Sequence, residues 1–395
     1  MSGEARREAR RRAVRRRRIA ALGVLLALSV AGTLIVSAFS GGDGGPAAAA
    51  DTTTGGGETE RATTAPPAAP PAAPDPAVAR TELTIAWVGD TVLASKYGTP
   101  PDGGRSSLAE VSPQLRSADL AFGNLEETLS ALPDTKCGSS PNCFAFEAPP
   151  AFSRNLKAAG FDVMNLANNH GDDFGAAGQR STERALRRVG IAWAGRPGTI
   201  TILRRKGVRV AFLGFAPYRW ASRLEHVAAA KRLVARAAAK ADLVVVAIHA
   251  GAEGSSATHV PRGSETFLGE NRGDSRRFAH AVIDAGADLV VGSGPHVIRG
   301  VERYHARLIA YSAGNFAGYK NFGTGGTLSL SAVVRVTLRG DGGLVGGRWV
   351  SLRLDGDALP HLDPTDASAH LVRQLSRADF GTHAAAIAAD GTITP

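Results

Sequence analysis

The sequence predicts one large α/β domain held outside a membrane on a single N-terminal span. Three observations predict it. From residue 83 onward, short apolar runs alternate with amphipathic segments. The first 80 residues divide into an arginine-rich end, an uncharged apolar stretch and a Pro/Ala/Gly-rich stretch. Successive apolar runs end in Asp, Asn, Glu or His, mostly beside glycine.

The N-terminal segments come first. Residues 1–18 form a tail with nine arginines, all between Arg6 and Arg18. Residues 19–39 then run 21 positions without a charge. At about 1.5 Å per residue such a helix spans the roughly 30 Å hydrocarbon core of a bilayer. Arginine on one flank only places the N-terminus in the cytoplasm and the rest outside, as a single-pass protein of the cell membrane. The competing reading is a cleaved signal peptide. Its apolar region would be shorter, about 7–15 residues, and Val36-Ser37-Ala38 is a poor small-x-small cleavage site. Nine arginines against Glu4 and Glu8 place +7 of the net +10 in the tail. That charge serves topology and anionic headgroups, so no nucleic-acid partner is expected. Residues 40–80 carry too little apolar surface to offset the entropy of ordering and are expected as a disordered, partly polyproline spacer.

The outer part is expected as a domain at 81–355 with a C-terminal extension, 356–395, packed on it. Strand-like runs are Leu83–Val88, Ala118–Phe122, Phe161–Leu166, Arg209–Phe215, Leu243–Ile248, Ala287–Val291 and Leu308–Tyr311. Helix-like segments lie between them at Ser107–Arg116, Ala151–Ala159, Ala176–Val189, Glu225–Lys240 and Asp274–Ala285. Apolar strands separated by helices imply a sheet covered on both faces. After Thr327 the pattern alternates, and Val333–Leu338 with Arg348–Leu354 around Gly340–Gly347 suggests an antiparallel hairpin. A short helix is expected at Leu371–Leu375, with Ala384–Ile393 closing the domain. Cys137 and Cys143 are the only cysteines. In a Gly/Pro/Asn loop outside the membrane they read as a local disulfide, with two free thiols the alternative. Two thiols alone do not make a zinc site.

The carboxyl ends of strands in an open α/β sheet form its binding crevice. Here they deliver Gly89-Asp90, Asn124-Leu125-Glu126, Asn168-Asn169-His170 with Asp173, His249 with Glu253, Pro295-His296 and Gly314-Asn315. Any one of these could be a helix cap, a turn or a hydrogen-bonded histidine. Together they are the donors that hold divalent Mn, Zn or Fe, one ion or two. Such a centre polarises a phosphoryl or acyl oxygen and generates hydroxide at neutral pH.

This set, together with Ala285-Gly-Ala-Asp288, Glu302 and Tyr311–Phe316, resembles the CapA-type family of poly-γ-glutamate capsule synthesis proteins over roughly residues 83–318. The family's domain is similar to the calcineurin-like metallophosphoesterase fold, a layered α/β sandwich. The resemblance implies Asp90, Asn124, Glu126, Asn169, His249 and His296 as metal ligands and His170 as general acid. Asp173, Glu253 and Asn315 would orient those ligands. Two positions depart from the phosphoesterase pattern, where histidines are usual: Val92 and Gly294. One metal, compensation by carboxylates and amides, or a cleft that only binds a ligand would each account for them. Three functions compete. One is an envelope protein for making, exporting or anchoring an anionic γ-glutamyl or similar polymer, alongside membrane synthase subunits. The others are an extracytoplasmic metal-dependent phosphoesterase and a non-catalytic scaffold of a polymer synthase complex.

Overall fold

A computed structural model describes residues 76–138, 140 and 143–395. The expected tail and span at 1–39, and the spacer up to residue 75, lie outside these residues. Among the described residues no helix is long and apolar enough to cross a membrane.

A single helical turn, α1 (Pro76–Arg80), leads into β1 (Glu82–Val92). Next come α2 (Ser112–Arg116), β2 (Leu120–Leu125), α3 (Ser153–Ala159), β3 (Val163–Asn165), α4 (Gly175–Arg188) and β4 (Ala192–Ala194). The chain continues through β5 (Thr201–Arg205), β6 (Val208–Ala216), α5 (Val227–Ala238), β7 (Leu243–His249), α6 (Ser275–Ile283), β8 (Leu289–Ser293), β9 (Ile298–Tyr304) and β10 (Arg307–Ala313). It ends with β11 (Asn315–Gly318), β12 (Leu330–Arg339), β13 (Leu344–Leu354), β14 (Pro360–Leu362) and α7 (Ala367–Phe380).

Alternate side chains of β1 go to opposite faces, and both faces are buried. Leu83, Ile85 and Trp87 enter one core with Phe212, Val245 and Val291, while Ala86 and Val88 enter another with Leu115, Leu156 and Leu186. The first core therefore lies between two sheets. One has nine strands in the order β14-β13-β12-β1-β2-β3-β4, with β11 also paired to β1 and residues 392–393 to β13. The other has seven, in the order β9-β10-β8-β7-β6-β5, with residues 222–223 on β6. Trp87, Phe122 and Phe212 stack edge to face across the gap, with centroids 4.9 and 5.1 Å apart. The Trp87 indole N–H donates to the Gly292 carbonyl of the opposite sheet at 3.1 Å. Helices α2–α4 cover the outer face of the first sheet and α5–α6 that of the second.

The expectation of one sheet covered on both faces thus becomes two sheets, each covered on both. An apolar strand reads the same whether its cover is a helix or another sheet, so periodicity alone does not separate the cases. The helix expected at Ser107–Arg116 is confined to α2. Pro113 fixes where it starts, because proline is tolerated in a first turn but not in a helix interior. The helix expected at Leu371–Leu375 extends to fourteen residues, and its Ala369, Val372 and Leu375 sit in the inter-sheet core. The C-terminal residues are therefore part of the same packing.

Candidate metal centre

The site forms where strand ends of both sheets meet. Asp90 stands near the end of β1 and Asn124 near that of β2, with Glu126 just beyond it; β7 ends in His249; the turn after β8 carries His296; and β11 opens with Asn315. Local backbone geometry aims these groups. The register of β1 slips against β2 between Val88 and Asp90 and against β11 between Asp90 and Thr91, a bulge of the kind that redirects a side chain. Gly89 is required there, since a Cβ would lie 1.9 Å from the Gly314 carbonyl oxygen. His296 has φ +61°, a left-handed conformation costly for a side chain with a Cβ.

Asp90, Glu126 and His296 each offer one ligand atom, and all three atoms lie within 4.8 Å of one another. His249 joins them: its Nε2 is 3.6 Å from Glu126 Oε1 and its Nδ1 is 3.6 Å from Asp90 Oδ1. Asp90, Glu126 and His249 are fully buried. Yet among the described residues both Glu126 carboxylate oxygens, His249 Nε2 and Asn169 Oδ1 have no hydrogen-bond partner. Buried polar groups are normally satisfied, because leaving one unpaired costs the whole desolvation penalty. Acceptor atoms left bare among two carboxylates and two imidazoles fit a divalent cation.

The charges are unevenly held. Burial disfavours ionised Asp90, but hydrogen bonds and attraction from His249 and His296 outweigh it and hold its carboxyl far below the usual range. Burial, reinforced by the Asp90 charge, raises the Glu126 carboxyl well above normal. Burial keeps His249 neutral, as a metal ligand must be. Burial also opposes a charge on His296, but Glu126, Asp90 and Glu253 together push it up to about 10. Three carboxyl groups, Asp90, Glu126 and Glu253, thus converge on two imidazoles at this point.

The remaining expected residues surround this cluster. Asn315 Oδ1 accepts from His296 Nδ1 at 2.8 Å, which turns Nε2 toward Glu126 and Glu253. Asn124 stands differently from the expectation of a ligand. Its Nδ2 donates to Asp90 Oδ1 at 2.8 Å, and its Oδ1 accepts from Asn165 (2.8 Å) and Asn168 (3.2 Å). The amide therefore positions Asp90, and its oxygen is already used. Gly294 replaces an expected histidine for a visible reason. Its amide donates to Asp90 Oδ2 at 3.2 Å, and a Cβ there would come within 3.0 Å of Ala250 N and 3.2 Å of the His249 ring.

His170 Nδ1 lies 2.7 Å from Asp173 Oδ2. A carboxylate only accepts, so Nδ1 carries the proton and Nε2 is left free. Asp173 is fixed in turn by the Phe146 amide (2.7 Å) and the Lys136 ammonium (2.6 Å). Burial lowers the His170 pKa against the pull of Asp173, so its resting form is neutral. His170, His296 and Glu253 share a cavity of about 260 Å³ whose rim is Phe144, Phe146, Phe267 and Phe322. The chain joins Cys137 to Cys143 near this rim, with the Cα atoms 5.4 Å apart.

Sequence reasoning missed Asn165, Ser293, Lys136 and Arg272. Ser293 Oγ lies 3.2 Å from His249 Nδ1. Arg272 is 1% exposed, and its Nη1 donates to Glu253 Oε1 at 2.5 Å. It comes from a polar stretch, Glu270-Asn271-Arg272, in which nothing local marks a buried side chain. Glu302, quoted in the resemblance, stands elsewhere. It accepts from Tyr311, His280 and Arg276 at 2.7–3.1 Å against α6.

Comparison with known proteins adds to this geometry. The chain is 29% identical over 294 residues to the capsule biosynthesis protein CapA of Bacillus anthracis, a match covering 66% of this chain and 65% of that one. It is 29% identical over 258 residues to the PGA biosynthesis protein CapA of Bacillus subtilis (strain 168), covering 59% and 63%. It thus spans just under two thirds of the length of these relatives. Among solved structures, a 5′-nucleotidase precursor from Thermus thermophilus is similar at a TM-score of 0.44 and 14% identity, over 71% of this chain and 56% of that one. Residues 84–320 match the family described as bacterial capsule synthesis protein PGA_cap. With the match covering more than half of its length, the chain belongs to that capsule synthesis family.

Proposed function

We propose that this protein is a membrane-anchored cell-envelope protein with a single divalent metal centre, acting in the synthesis, export or anchoring of an anionic γ-glutamyl capsule polymer. The observation that carries this reading is the set of unpartnered buried acceptors on Glu126 and His249, facing Asp90 and His296. Family membership supports the capsule role. The uncharged stretch at 19–39, flanked by arginines, supports the anchor.

Asp90, Glu126, His249 and His296 would hold the ion. A bound Mn, Zn or Fe ion polarises an acyl or phosphoryl oxygen and acidifies water. Asn124 and the Gly294 amide hold Asp90 in place, while Asn315 and Ser293 set the two imidazoles. His170 Nε2 takes a proton, Asp173 stabilises the imidazolium so formed, and the same Nε2–H then protonates a leaving group. The phenylalanine rim excludes water from the departing group.

The His170–Asp173 pair also favours a second reading, an extracytoplasmic metal-dependent phosphoesterase, over a purely scaffolding role. The deciding experiment is deletion in the native host, complemented with wild type or Asp90→Asn, and an assay for surface γ-glutamyl polymer. The proposal expects polymer to disappear on deletion and to return only with wild type. Full rescue by Asp90→Asn would overturn the metal-dependent role. The absence of such polymer in the undeleted host would overturn the polymer.

A further inference from the structure

A second groove, of about 430 Å³, runs along α5 from the loop before it, and the charged side chains lining it are of one sign. Arg219, Arg223, His226, Arg232 and Arg236 line it, and no carboxylate does. Only Arg223 has an ion-pair partner, Glu225 at 3.1 Å. Among the described residues the Arg219, Arg232 and Arg236 side chains have no hydrogen bond or ion pair, and all three are exposed. Arg232 and Arg236 stand four apart on one helical face, where like charges repel. A contrasting cavity of about 680 Å³ beside α6 also holds many cations but interleaves them with Asp274, Asp284 and Glu302. The first groove lacks that neutralisation, so its field awaits an external anion.

One short loop joins a residue of the groove to the segment that carries His170. Trp220, next to Arg219, donates its indole N–H to the Asn168 carbonyl at 2.8 Å, immediately before Asn169 and His170. Tyr218 stacks on Trp220 at 5.0 Å and 12°. The loop carrying Tyr218 and Trp220 thus stands between Arg219 of the groove and the segment that carries His170.

We infer that the Arg219–Arg236 groove is a binding subsite for a run of carboxylates on one polymer chain, feeding or holding that chain beside the metal centre. Planar guanidinium groups bind carboxylates in pairs of parallel hydrogen bonds, and successive carboxylates of a polymer can meet successive arginines. The inference rests on the γ-glutamyl polymer reading above, which supplies such a chain.

The test uses the full-length protein in neutral detergent and a fluorescently labelled γ-linked glutamate oligomer, read by anisotropy. Arg232→Glu with Arg236→Glu should weaken binding by about tenfold or more, and wild-type binding should fall with added salt. Arg232→Lys with Arg236→Lys, which keeps the charge but not the planar fork, should lose less affinity than the charge reversal. Metal content and melting temperature, unchanged in both variants, confirm that the fold is intact. Oligomer binding that survives charge reversal overturns the groove while leaving the polymer reading standing. A wild-type protein that takes up metal but binds no oligomer overturns both. Arginine-dependent binding of anionic phospholipid vesicles without oligomer binding would assign the groove to the membrane surface instead and refute the inference.

Discussion

Replacing Glu126 by Gln tests the metal centre through stability alone, without knowledge of the substrate. Glu126 is fully buried and neither carboxylate oxygen has a partner. A buried group left in that state costs about 1–3 kcal/mol, and more when charged. Glutamine keeps the volume, cannot ionise and can turn an N–H toward Asp90, whose ligand atom lies within 4.8 Å of that of Glu126. In chelator the variant should therefore be the more stable protein. At about 1.5 °C per kcal/mol for a folded part of this size, its melting temperature should rise by about 1.5 °C or more. With metal the order should reverse. At a concentration one hundred times Kd the wild type gains about 2.7 kcal/mol, and the variant, having lost a carboxylate ligand, gains much less. Thermal denaturation of both proteins in chelator and in Mn, Zn or Fe, with metal content measured in parallel, reads all four values. A variant that melts below wild type in chelator, or one that responds equally to metal, would refute the assignment of Glu126 as a bare ligand.

Three further outcomes follow from the same geometry. Asp173→Asn keeps an acceptor for His170 Nδ1 but removes the charge that stabilises its imidazolium and pairs with Lys136; turnover should fall about 10²–10⁴-fold with metal content unchanged, and an unaltered rate would remove His170 from proton transfer. Gly294→Ala places a Cβ at φ +109° against Ala250 and the His249 ring; a loss of about 1–3 kcal/mol in denaturant unfolding and reduced metal uptake are expected, whereas a neutral result would mean that the turn relaxes freely. For Asp288, burial outweighs Arg307 and the Val244 amide and raises its carboxyl from 3.8 to about 6. The folded state thus holds that proton more tightly, so stability falls as pH rises from 3.8 through 6, by up to about 3 kcal/mol. Asp288→Asn, whose amide oxygen can still accept from Val244, should flatten the pH dependence of the unfolding midpoint across that window, and an unchanged slope would place its origin elsewhere.

Much of this molecule is legible in one dimension, for a physical reason that can be named. Strands such as β1, β6 and β7 are buried on both faces, so their apolar residues stand in unbroken runs, and the polar residues that interrupt them at the strand ends are conspicuous. Asp90, Glu126, His170, His249 and His296 stand out in this way. The uncharged stretch at 19–39 beside nine arginines is equally plain in composition. The tertiary structure decided what depends on neighbours distant in sequence. Whether a strand is covered by a helix or by a second sheet leaves the same apolar pattern. Asn124 looks like a ligand until Asn165 and Asn168 occupy its oxygen. Arg272 is an ordinary polar residue in its own segment and becomes buried only when Glu253 closes on it. Gly294 departs from the expected pattern until the His249 ring is seen against it. Burial and hydrogen-bond satisfaction are properties of the assembled interior, and they separate the candidate cation ligands from the residues that position them.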